Sequence, residues 1–137
     1  MNSINLNIRI IDLKKDFELL NKWALAGHGL PFKLDIIPET TYIIEHQNQP
    51  IATLCLFLMN CKGGAMVENL LSDLSVDKGI RKEAVNLLFN HVEKVAKEKG
   101  YNTLVLFSNV DKLKERYTDL GYKETMSNVS TFAKELV

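Results

Sequence analysis

The chain has 137 residues, the usual size of one domain and enough to bury a core without staples. Lysines and arginines match aspartates and glutamates at 17 each, so the formal net charge is zero. That balance excludes broad nucleic-acid binding, which needs a basic surface to neutralise phosphates, but leaves room for a local basic pocket.

Two cysteines, Cys55 and Cys61, carry no metal-ligand spacing. His28, His46 and His91 have no companions at such spacing either, so no metal is expected. The longest apolar run, Ile51 to Met59, is too short to span a bilayer. No apolar core follows the start Met as a secretory signal would. The expectation is a cytoplasmic protein with reduced thiols and no membrane partner, in which Asn128-Val129-Ser130 matches the glycosylation triplet by chance.

Leu6, Ile8 and Ile10 alternate with Asn7 and Arg9, which predicts a half-buried strand. Phe17, Leu20 and Ala24 then fall at helical spacing, with Leu19 and Trp23 beside them and Gly27 expected to end the helix. Trp23 is expected in the core of that helix. Residues 27–32 read as a loop. Thr41 to Glu45 and Ile51 to Met59 are strands joined by the turn 47–50, an expected hairpin. The second of them is apolar on both faces and belongs inside a sheet. Met66 to about Leu71 is a fourth strand.

Asp77 to Gly100 holds the clearest helix, with the stripe Ala84, Leu88, Val92, Val95 and Ala96 and with Glu93–Lys97 and Lys94–Glu98 pairs on its wet face. Gly100 stops it. Thr103 to Phe107 is a continuous apolar strand, as a parallel sheet covered on both faces requires. Ser108 or Asn109 can cap a third helix that buries Val110, Leu113, Tyr117 and Leu120 and ends at Gly121. Asn128 to Lys134 can form a last strand. The expected fold is α/β, a single domain over 1–137 in the order β-α-β-β-β-α-β-α-β, with a mixed central sheet flanked by helices on both faces.

Three ordered segments resemble the GNAT superfamily of acyl-coenzyme A N-acyltransferases. Val67-Glu68-Asn69-Leu70-Leu71-Ser72-Asp73 is similar to the family's fourth strand, often written I-E-N-L-A-V-D. The second segment is the loop and long helix from Asp77 to Gly100. The third is Asn109 to Tyr122, where Tyr117-Thr118-Asp119-Leu120-Gly121-Tyr122 resembles the ending Y-x-x-x-G-F/Y. The resemblance covers about Ile43 to Lys134, and residues before it fit by element order alone.

The resemblance implies acetyl-CoA as co-substrate and a primary amine on a small molecule or protein as acceptor. The oligomeric state stays open, with a homodimer as the default. The family's phosphate loop is Q/R-x-x-G-x-G/A. The nearest match here is Arg81-Lys82-Glu83-Ala84-Val85-Asn86, in which Ala84 and Asn86 replace glycines that let backbone approach phosphate. Loops of this R-x-x-A kind are similar to those of divergent members encoded by bacteriophages and mobile elements. Lys78, Gly79, Arg81, Lys82 and Ala84 are the expected pyrophosphate cradle, since free amides at a helix N-terminus suit an anion. Read without the resemblance, they are equally an ordinary basic first turn.

Ser72 is expected to offer backbone groups to the pantetheine arm, and Asn109 matches a polar position near the cofactor. Tyr117 takes the place of the general acid that protonates the departing thiolate. On its own, a Tyr on a stripe with Leu113 and Leu120 is a core aromatic. Glu68 takes the place of the base that relieves an attacking ammonium of its proton, or is a strand glutamate facing solvent or a lysine. The glycine-poor loop keeps open a second function, a catalytically weak or inactive GNAT-fold binding module acting on a protein partner.

Overall fold

A computed structural model describes residues 5–108 and 110–136. The chain divides into two compact units, Met1–Leu106 and Phe107–Val137.

In the first unit, the alternating stretch Leu6–Ile10 forms β1, and Asp12 caps the helix α1, Leu13–His28, by accepting a hydrogen bond from the Lys15 amide. The helix runs one turn's fraction past Gly27. The residue that takes the left-handed cap is Gly29, at φ 71°, with its amide bonded to Leu25 O. A short 3-10 turn, Leu34–Ile36, leads into β2, Thr41–His46, and β3, Gln49–Phe57. Then follow β4, Ala65–Ser72, the helix α2, Lys78–Glu98, and β5, Leu104–Val105.

The five strands lie in one sheet in chain order. β1 to β4 form antiparallel neighbours, and β5 joins β4 in parallel. This requires a crossover, which α2 supplies. Arg9 pairs across the sheet with Ile43, and Ile8 with Ile44, so successive residues serve opposite faces. One face holds α1: Leu20, Trp23 and Ala24 pack with Phe32, Ile43, Cys55 and Leu71. The other face takes α2 through Ala84, Val85, Leu88, Phe89, Val92 and Ala96, and the His91 ring meets the Tyr42 ring edge-on at 4.5 Å. Helices therefore cover both faces, as the pattern of apolar residues requires.

β5 is shorter than the apolar run Thr103 to Phe107 suggests. Among the described residues its ladder with β4 holds Ala65↔Leu104 and Met66↔Val105.

The second unit holds α3, Asp111–Asp119, and the segment after it. Two expectations fail here. None of the stripe Val110, Leu113, Tyr117 and Leu120 is buried, Val110 being 50% exposed. No strand forms over 128–134, where every residue is exposed. A unit this short cannot enclose a core of its own. Gly121 does end α3, at φ 95°. Among the described residues no helix is long and apolar enough to cross a membrane.

Candidate functional site

β4 carries the feature that organises the site. Its ladder with β3 runs Phe57↔Met66, Leu56↔Val67 and Cys55↔Glu68, then resumes at Thr53↔Leu71 and Ala52↔Ser72. Asn69 and Leu70 therefore stand opposite the single residue Leu54, which is a β-bulge. Asn69 sits at φ 59°, a left-handed conformation that asparagine tolerates better than most residues. A bulge kinks a strand and increases its twist. Here it lies three residues beyond Met66, the last β4 residue in register with β5 among the described residues.

Beyond Met66, the β5-side edge of β4 has no strand partner among the described residues. Glu68 and Ser72 lie on this length and are half-buried. Ser72 is its last residue.

The connection to α2 is short and internally braced. The Asp73 carboxylate accepts from the Ser75 amide at 2.9 Å and the Ser75 hydroxyl at 2.6 Å. Arg81 reaches back so that Nε donates to Val76 O at 2.9 Å. Asp77 caps α2 by accepting from the Ile80 amide at 3.2 Å. The amides of Lys78 and Gly79 lead the helix, where no intrahelical acceptor exists, and no acidic residue occupies its first turn.

Residues 81–86 are helix, and the connection that precedes α2 is Asp73 to Asp77. Ala84 is 0% exposed, in the core on the sheet side of α2. Lys78, Gly79 and Lys82 are exposed at the start of the helix, and Arg81 is half-buried as the loop's brace. Asn109 lies outside the described residues.

One continuous strand–loop–helix thus presents Glu68, Ser72, Lys78, Gly79, Arg81 and Lys82. The Asp77 carboxylate sits at the same terminus and competes with an incoming anion. Lys78, Arg81 and Lys82 outnumber it, and the helix dipole adds to them. These residues fit a phosphorylated ligand with an extended arm.

Tyr117 belongs to the second unit. It is half-buried on α3, its carbonyl accepts from the Tyr122 amide at 2.9 Å, and its ring stands 6.3 Å from the Tyr122 ring at 65°.

Behind the bulge lies a small polar group that sequence reasoning did not single out. Cys55 is 0% exposed on the central strand β3, and Thr41 Oγ1 lies 3.3 Å from its sulfur. Asn69 Nδ2 lies 3.9 Å from the same sulfur. Burial pushes the Cys55 thiol up, against the pull of the Thr41 and Asn69 contacts, and the Glu68 charge adds to the effect of burial. The signal that could have found the bulge is Asn69 itself, a weak strand former placed inside an apolar strand.

An open depression of about 710 Å³ lies elsewhere, lined by residues including Arg9, Asp12, Lys15, Ile37 and Glu39, and contains none of these site residues. Among the described residues no three His, Cys, Asp or Glu side chains gather as a metal-binding group.

The mixed five-stranded sheet with the α2 crossover is a fold that many solved structures share, among them acetyltransferases. One is an acetyltransferase of Trypanosoma brucei, with a TM-score of 0.73 and 16% identity over 94% of this chain and 100% of that one. Ard1 of Thermoplasma volcanium follows at 0.71, with 17% identity over 88% and 84%. A predicted acetyltransferase of Clostridium acetobutylicum, solved with acetyl-CoA, superimposes at 0.65, with 19% identity over 93% and 96%. No protein-family model matches the chain, and no curated protein matches it in sequence.

Proposed function

We propose that this chain is an N-acetyltransferase that moves acetyl from acetyl-CoA to a primary amine of a small molecule or protein. The observation that carries this reading is the run of chain beyond the β4–β5 ladder. Past Met66, the last β4 residue in register with β5 among the described residues, the strand leads through a five-residue loop to a helix start bearing Lys78, Arg81 and Lys82. An extended pantetheine arm matches the first part and a pyrophosphate matches the second. The acetyltransferase solved with acetyl-CoA on the same fold supports the choice of donor.

In this reading each residue has a defined task. The β4 peptide groups near Ser72 hold the pantetheine arm in line with the strand. The Lys78 and Gly79 amides and the Lys78, Arg81 and Lys82 cations hold the pyrophosphate. Glu68, directly or through a water, takes the proton that an ammonium acceptor must lose before its nitrogen can attack. The new C–N bond forms at the thioester carbonyl and the C–S bond breaks. Tyr117 donates its phenolic proton to the departing sulfur.

Calorimetric titration with acetyl-CoA tests the cofactor reading. Lys78→Glu together with Lys82→Glu changes two exposed side chains and leaves the Arg81 brace intact. Wild-type protein is expected to bind, and the double charge reversal to weaken binding about tenfold or more, since each charge-assisted contact contributes roughly 1.5–3 kcal/mol. Unchanged affinity in the variant would remove the pyrophosphate from this helix.

A further inference from the structure

We propose that Thr41, Cys55 and Asn69 form a row of positioning residues beneath the β4 bulge, and that this row sets the affinity of the site for acetyl-CoA. The inference rests on the cofactor reading above.

A bulge leaves an extra residue outside the ladder, and a left-handed non-glycine residue persists only where its surroundings hold it. On either side of Asn69 the chain is held. Glu68 is in register with Cys55, and Leu71, 4% exposed, is packed in the core beneath α1. The Asn69 side chain points to the Cys55 sulfur, with Nδ2 3.9 Å away.

The direction of the hydrogen bonds follows from proton counting. The Thr41 hydroxyl has one proton, and at 2.8 Å it faces Pro38 O, which can only accept. The proton therefore goes to Pro38, and the Thr41 oxygen is left to accept from the Cys55 thiol. The thiol sulfur is then the acceptor for Asn69 Nδ2. The row runs in one sense: Asn69 to Cys55, Cys55 to Thr41, Thr41 to the Pro38 carbonyl. It crosses from β4 through β3 to β2, and its members are buried or half-buried. Such chains gain from mutual polarisation, and a buried donor left without an acceptor is costly.

The consequence reaches the cleft through geometry. Asn69 is the kink from which Leu70, Leu71 and Ser72 leave for the site. Loosening it lets the ligand-facing edge drift relative to the start of α2, so the arm and the pyrophosphate are no longer met together.

The test uses Cys55→Ala, Asn69→Gly and the double variant. Glycine keeps the left-handed backbone and removes only the side chain. Each single change is expected to weaken acetyl-CoA about three- to tenfold, the worth of one hydrogen bond, and the double to be no weaker than the weaker single. Cys55→Ser restores a donor and is expected to bind within about twofold of wild type. Amide hydrogen exchange at 69–71 is expected to quicken in Cys55→Ala while the β1–β2 ladder stays protected. Unchanged affinity in Cys55→Ala with a lowered melting temperature would make Cys55 a core residue only. Affinity losses that multiply in the double variant would likewise overturn the row. If wild-type protein binds no acetyl-CoA, the cofactor reading fails by itself. The exchange data then decide the row, and unaltered exchange at 69–71 overturns it.

Discussion

Asp16 is 2% exposed yet carries a charge, and every part of its surroundings explains why that is tolerated. Its carboxylate accepts from Arg9 Nη1 at 2.7 Å, Arg9 Nη2 at 2.8 Å and the Asp12 amide at 2.8 Å. Burial alone would raise its pKa, but the Arg9 hydrogen bonds, the Asp12 amide and the Arg9 charge together outweigh burial and hold it below the ordinary carboxylate range. The fork-to-fork pairing ties β1 to α1, and Glu45 adds a second carboxylate 3.4 Å from Arg9 Nε. Asp16→Asn strands the guanidinium and is expected to cost about 3 kcal/mol in urea unfolding, the lower end for a broken buried pair because Arg9 keeps some solvent contact. The pH dependence has a definite sign. A carboxylate with a depressed folded pKa contributes fully above its ordinary value of 3.8 and loses that contribution as pH falls through the lower folded value. The stability gap between wild type and Asp16→Asn should therefore be constant near neutrality and narrow only below about pH 4. A gap that closed near pH 6 would point to a histidine instead.

At the scale of elements, the strands and the long helix could be read because their apolar periods are clean and their partners are close in the chain. Leu88 and Val92 were expected on the buried stripe of α2, and both are 0% exposed. Ends were harder. Gly27 and Gly29 both satisfy the rule that glycine follows a helix, and only backbone geometry separates them. Gly29 has the left-handed φ of 71°, while Gly27 is inside α1 with nothing within 4 Å of an added Cβ. Gly27→Ala should therefore stabilise the protein by about 0.5–1 kcal/mol, and Gly29→Ala should destabilise it by about 1 kcal/mol. Thermal melts of the two variants give opposite signs if the cap is Gly29, and the reverse order would return it to Gly27. The start of α2 was hard to read for a related reason. A family pattern read through Arg81 and Ala84 carries no information on where the Asp77 cap starts the helix. The bulge at Asn69 was invisible as a period because one extra residue shifts the strand's alternation without changing its composition. The buried Thr41–Cys55–Asn69 row joins residues far apart in sequence, and nothing local announces it.

On the whole molecule, the division of the chain separates two tasks that the proposed reaction needs. The first unit contains the end of β4, the loop and the start of α2, all that the reading assigns to holding acetyl-CoA. The second contains Tyr117, assigned only to the departing sulfur. Binding and transfer should then be separable by a change in one phenol. With acetyl-CoA at about 100 times its Kd, both wild type and Tyr117→Phe should gain about 2.7 kcal/mol of stability and show the same rise in melting temperature. Acetyl transfer to an amine acceptor should fall about 100-fold or more in Tyr117→Phe, the usual worth of a positioned general acid, with little change in the KM for acetyl-CoA. The replacement removes only the hydroxyl from a half-buried ring, so the contact with Tyr122 is retained. Equal transfer rates would release Tyr117 from the reaction and leave the thiolate to be protonated by solvent. Equal stabilisation with no transfer by either protein, across a screen of small-molecule and protein amines, would favour a GNAT-fold module that binds the cofactor and acts through a protein partner. The paired measurement thus distinguishes a lost acid from an absent enzyme, because cofactor binding is read independently of proton delivery.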